Sequence, residues 1–151
     1  MTNSVLMLGW ELPPHNSGGL GVASFGLARA LVKHGIRLFF VLPQKIDLIP
    51  TPFPVLFAND YSLMTASFSP YLTQYLSGFG DLLAQVFTYA VRVKALATRL
   101  KFSVIHAHDW LCVPAGIAAK EATGRPLIIH VHATEFDRCG GSNINSTVYQ
   151  I

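Results

Sequence analysis

The sequence predicts an α/β domain, a mostly parallel sheet with helices on both faces. Two observations carry this reading. Short apolar runs rich in Val, Ile, Leu and Phe recur at Ser4–Gly9, Ile36–Leu42, Ser103–Ile105 and Pro126–Val131. Between them lie segments whose apolar residues repeat at helical spacing. Strands alternating with helices are joined by crossovers, and crossovers make neighbouring strands parallel. The expected architecture is a Rossmann-like three-layer sandwich. A length of 151 residues suits one such domain.

Taken in order, Ser4–Gly9 reads as a buried first strand, followed by a loop from Glu11 to Gly21 rich in Pro, His, Asn, Ser and Gly. Val22–His34 places Phe25, Ala28, Leu31 and Val32 on one helical face, and Gly35 is set to be its C′ cap. Ile36–Leu42 is a second buried strand, stopped by Pro43. Pro50, Pro52 and Pro54 punctuate a loop before a short strand at Val55-Leu56-Phe57, and Pro70–Ser77 reads as a helical turn or two. Asp81–Leu100 is the clearest helix. Asp81 is its candidate N-cap, and Leu83, Val86, Phe87, Ala90, Val93, Ala97 and Leu100 share a face. Its basic residues Arg92, Lys94, Arg99 and Lys101 lie toward the C-terminal end, where the helix dipole favours them. A strand from Ser103, a helix over Pro114–Thr123 ended by Gly124, and a buried strand over Pro126–Val131 complete the pattern.

Composition narrows the function classes. Apolar residues make up 51% and charged residues 13%, about half the charged share of an average domain. That is more apolar surface than one such domain needs to bury, so a partner surface is expected. The net charge is +3 with no run of like charge, which gives no footprint for nucleic acid. Cys112 and Cys139 form no CxxC pair, so reduced thiols and a cytoplasmic location are expected. The N-terminus lacks the charged n-region of a signal peptide, and no apolar stretch is long enough to span a membrane.

The chemistry concentrates in three places. Ser17-Gly18-Gly19-Leu20-Gly21 joins the first strand to the first helix. Glycines let a ligand approach the backbone, and a helix N-terminus offers free N–H groups and a positive dipole, so this turn could cradle a phosphate or serve only as a tight turn. It is neither a GxGxxG pattern nor a P-loop. The second and third places are His106-Ala107-His108-Asp109-Trp110 and His130-Val131-His132-Ala133-Thr134-Glu135-Phe136-Asp137-Arg138, which hold four of the six histidines. Side chains at i and i+2 of a strand share a face. If both strands end at one sheet edge, imidazoles and carboxylates converge on one crevice, where open α/β sheets bind ligands. Arg138 could fork onto a phosphate or carboxylate, or join Glu135 and Asp137 in a solvated, ion-paired loop.

Together, and in this order, the three motifs resemble the N-terminal half of GT-B-fold glycosyltransferases of family 4, the glycogen/starch synthase-like retaining enzymes. The resemblance covers nearly the whole chain. It implies that residues 1–151 are the acceptor-side Rossmann-like domain, one half of a GT-B fold, and that the C-terminal donor-binding domain lies outside this chain. Gly18 and Gly19 would approach the donor's phosphates. His108, Asp109 and Trp110, with Glu135 and Arg138, would line the acceptor side of the cleft. His132 matches the histidine that the family sets close to the transferred sugar, where it hydrogen-bonds a hydroxyl and supports an oxocarbenium-like transition state. Asn16 departs from the pattern, because bacterial glycogen synthases place a phosphate-contacting lysine there.

The function implied is transfer of a hexose from a nucleotide-sugar donor to a carbohydrate or other hydroxyl acceptor, with no cofactor and no metal. The isolated chain is expected to be inactive without the second domain and to self-associate through its uncovered interdomain face. Two other readings compete. The paired histidines with Asp109 and Glu135 could serve a metal-dependent hydrolase, or the fold could be a non-catalytic interaction module. The first histidine of each pair, His106 and His130, is expected to belong to strand packing. The second, His108 and His132, is expected to face the cleft, without a single four-histidine cluster.

Overall fold

The computed structural model describes residues 3–60 and 81–151. Five strands form one parallel sheet: β1 (Ser4–Leu8), β2 (Arg37–Leu42), β3 (Val55–Phe57), β4 (Val104–His108) and β5 (Leu127–His130), in the order β3-β2-β1-β4-β5. Helix α1 (Gly19–Lys33) joins β1 to β2, α2 (Asp81–Ala97) precedes β4, and α3 (Val113–Thr123) joins β4 to β5. Two short helices follow, α4 (Glu135–Cys139) and α5 (Ser146–Gln150). The Rossmann-like arrangement expected from the alternating pattern is therefore present.

Alternation along the strands builds two cores. Leu6, Leu8, Val41, Ile105 and Ala107 point to one face and pack with Val86, Tyr89, Val93 and Leu96 of α2 and Ala115 and Ala119 of α3. Val5, Met7, Leu38, Phe40 and Leu42 point to the other and meet Ala28 of α1, Leu12 and Phe53. Tyr89 and Leu96 are core positions absent from the expected face of α2. Tyr89 is fully buried, with its hydroxyl satisfied by donating to the carbonyl of Val41 at 2.8 Å. Gly116 lets α3 sit directly on the sheet, since a Cβ there would lie 2.8 Å from Leu127 and 3.0 Å from Ala107.

Several boundaries differ from expectation for physical reasons. Helix α1 begins at Gly19 rather than Val22, so the glycine turn supplies its first turn. Its other end matches: Gly35, at φ 78°, donates to Val32, and Ile36 donates to Leu31, the paired bonds of a Schellman motif. Helix α2 stops at Ala97, its C-terminal residues unwinding into turns through Arg99 and Leu100. The side chain of Asp81, the expected N-cap, and the turns expected over Pro70–Ser77 lie outside the described residues. None of the described helices is long and apolar enough to cross a membrane.

Two corrections concern the site directly. Strand β4 runs through His108, so this second histidine lies in the sheet with His106 rather than past the strand end. Strand β5 is not buried. It is an edge strand, with Ile128 52% and Val131 just beyond it 56% exposed. An apolar run signals a strand but cannot say whether a neighbour covers it.

Candidate active site at the sheet's carboxyl edge

The chain leaves β1 toward β2 on one side, and returns to β4 on the other. The strand order thus reverses between β1 and β4, the point where open α/β sheets form a crevice beyond their carboxyl ends. The β1–α1 loop and the turn after β4 flank that point.

The β1–α1 loop is organised by Glu11, a residue outside the three sequence motifs. Its carboxylate accepts from the backbone and hydroxyl of Ser17, both at 2.8 Å, and from the backbone of Gly21 at 3.2 Å. Partial burial alone would raise its pKa, but these bonds, with one from Gly18, bring it below the usual range. The start of α1 therefore already holds one internal anion. Gly21 must be glycine, because a Cβ would lie 2.8 Å from Asn16 Cβ and 3.3 Å from the carbonyl oxygen of Glu11. Gly18 and Gly19 differ: a Cβ on either meets nothing within 4 Å. Their backbone faces open space that a ligand can occupy.

On β4 and β5 the register sets His108 beside His130. Alternation then puts His106 and His108 of β4 on one face, with His130 and His132 beside them. The four imidazoles form a single stacked cluster, with ring centroids of contacting pairs 4.3–5.5 Å apart. This corrects the expectation that the pairs stay separate. It also inverts part of the expected division: His108 is completely buried, whereas His106 is half-buried and His130 exposed. Nδ1 of His108 lies 2.9 Å from Nε2 of His132, within hydrogen-bond distance, and Nε2 of His108 is buried without a partner. A buried N–H without an acceptor is rarer than an under-used acceptor. The favoured tautomer has His108 Nδ1–H donating to His132, which leaves His132 with its own N–H at Nδ1.

Burial, reinforced by the neighbouring imidazoles, lowers the pKa of His106 to about 4 and that of His108 to about 3. His132 is also lowered, by burial and then His130, with Asp109 acting in the opposite sense. His106 and His108 are therefore neutral at pH 7.

Asp109 follows β4 with φ 64° and ψ 171°, a region that glycine normally occupies. Its backbone N–H donates to the carbonyl of His130 at 2.8 Å, so the strained residue clamps the ends of both strands together. Its carboxylate accepts from Trp110 N and its carbonyl from Cys112 N, forming a tight turn. Asp109, Trp110 and Glu135 come together around a cavity of about 270 Å³, whose other walls include Ile129, Val131 and Tyr149.

The segment after β5 is not the ion-paired loop considered above. Thr134 and Asp137 form a reciprocal capping box at the start of α4, which holds the Asp137 pKa low. Glu135 accepts from the backbone of Asn145 at 3.1 Å, tying α4 to α5. Arg138 is exposed on α4 and does not line the cavity. The Thr-x-x-Asp spacing was the available signal for this cap.

The starch synthase catalytic domain family matches residues 4–150. The chain belongs to this family. Among curated relatives, an uncharacterized glycosyltransferase of Methanocaldococcus jannaschii is 30% identical over 142 residues, covering 91% of this chain and 33% of that protein. The glycogen synthase of Mycobacterium tuberculosis is 28% identical over 148 residues, covering 91% and 35%. This starch synthase-family chain thus spans about a third of the length of these relatives. Solved structures share the fold. Sucrose-phosphate synthase from Thermosynechococcus elongatus has a TM-score of 0.68 at 12% identity, covering 97% of this chain and 38% of that one. Phytolacca americana UGT2 complexed with UDP-2fluoro-glucose and pterostilbene has a TM-score of 0.52 at 10% identity, covering 86% and 30%.

Proposed function

We propose that this domain is the acceptor-side half of a retaining GT-B glycosyltransferase. It would move a hexose from a nucleotide-sugar donor to a carbohydrate or other hydroxyl acceptor. A second domain would supply most donor contacts, and the chain alone would not catalyse transfer. The family match supports the reaction class. The observation that carries the site is His132, aligned by His108 near Asp109 at the carboxyl ends of β4 and β5.

In this reading His132 donates its Nδ1–H to a hydroxyl of the transferred sugar. A neutral imidazole suits that task, because the sugar ring gains positive charge in an oxocarbenium-like transition state and a cationic neighbour would repel it. His132 is thus a hydrogen-bonding contact and not a general base. The open backbone at Gly18 and Gly19 would admit the donor's phosphates. Glu11 occupies part of the helix terminus, so a phosphate would be held from the outer, glycine side of the loop. Asp109, Trp110 and Glu135 line the cavity assigned to the acceptor, while Arg138, exposed on α4, would reach the acceptor side only from the rim of the cleft.

The test is an assay of the full-length protein carrying this domain with ADP-, UDP- and GDP-glucose and an oligosaccharide acceptor. Transfer from one of them with retention at the anomeric carbon is expected. Neither transfer nor donor hydrolysis with any of them would refute the reading.

A further inference from the structure

His106 and His130 have no part in the transfer proposed above, yet both belong to the histidine cluster. One ring nitrogen from each of His106, His108 and His130 lies within 4.8 Å of the other two. His108 is fully buried, its Nδ1 is engaged by His132, and its Nε2 has no partner, so Nε2 is the nitrogen left to bind something. His106 is half-buried beside it, and His130 sits on the edge strand, exposed but stacked on the other imidazoles.

From this geometry we infer a binding site for one borderline divalent transition-metal ion, formed by His106, His108 and His130. Three imidazoles without a carboxylate favour Cu²⁺, Ni²⁺ or Zn²⁺ over Mg²⁺ or Ca²⁺, which take oxygen ligands. Nitrogens about a tetrahedral ion at roughly 2.0–2.1 Å stand about 3.4 Å apart. The 4.8 Å limit on the present separations exceeds this, so the stacked rings turn their in-plane nitrogens inward as the ion binds. His132 then plays the outer-shell part, accepting the other N–H of a ligating histidine and fixing its tautomer. The ion is bound here and is given no step in the transfer reaction, although it shares His108 and His132 with that site.

The experiment titrates the purified chain, stripped with EDTA, with Cu²⁺ or Zn²⁺ in the presence of excess Mg²⁺. Calorimetry gives the affinity, and electron paramagnetic resonance of the Cu²⁺ form reads nitrogen ligation. One equivalent should bind, with superhyperfine coupling to several nitrogens. His106→Ala and His130→Ala should each weaken binding at least tenfold. His15→Ala and His34→Ala, both at exposed histidines outside the cluster, should not. His130→Ala removes an exposed ring, so it keeps the test decisive even if His106→Ala fails to fold. Absence of one-to-one binding, or equal affinity in the His130→Ala and His34→Ala proteins, would overturn the assignment.

Discussion

His108 Nδ1 and His132 Nε2 meet at 2.9 Å between β4 and the residues just past β5, one ring fully buried and the other only partly so. The buried ring orients the accessible one. That relationship ties sheet register to chemistry, because the pairing of His108 with His130 is what sets His132 alongside.

The cap made by Glu11 predicts a stability effect remote from the histidines. Glu11→Ala removes the acceptor for Ser17 and Gly21 and leaves the first turn of α1 unsatisfied. A loss of about 1–3 kcal/mol is expected, read by urea unfolding. The Glu11 pKa is lowered in the folded state, so its contribution is present above the ordinary carboxylate pKa and fades as pH falls below it. The alanine variant should therefore show less loss of stability on acidification through that range.

The three glycines of the loop should separate by role. Gly21→Ala forces its Cβ against Asn16 and the Glu11 backbone, and should cost about 1–3 kcal/mol. Gly19→Ala meets open space within a helix and should leave stability unchanged or raise it by about 0.4–1 kcal/mol. If the donor approaches there, Gly19→Ala in the full-length protein should nonetheless raise the donor KM severalfold. Thermal melts and donor titrations check the two halves of this prediction.

Acid should unfold the chain through the histidine cluster. His106 and His108 titrate near 6.5 when unfolded but at about 4 and about 3 when folded. Between those values the unfolded state binds more protons, so stability is full above about pH 6.5 and falls as pH drops toward 4. Urea midpoints measured with EDTA across pH 4–7.5 should show this slope, and His106→Ala should flatten it.

The strand and helix order was legible from apolar periodicity, because a strand buried on both faces shows as a continuous run. The run at Ile128–Val131 shows where that signal stops: it marks a strand, but its exposure depends on which strand lies beside it. The site was legible as residues and only partly as geometry. Cys112 and Trp110 take their turn because Asp109 adopts a positive φ, which no spacing rule announces for aspartate. The clustering of four imidazoles depends on the β4–β5 register, which sequence patterning leaves open. Glu11 escaped notice because a lone carboxylate in a proline-rich loop has no pattern; its partners lie across the turn.

The central claim is that His132 acts on the sugar and is positioned, not required, by the fold. The most direct test compares kcat of the full-length protein with that of its His132→Ala variant, at a temperature where both are folded. The account predicts a fall of about 100-fold or more, beside a stability loss of about 1–3 kcal/mol because the buried His108 Nδ1–H loses its acceptor. A kcat within a factor of two or three of the parent protein would contradict it.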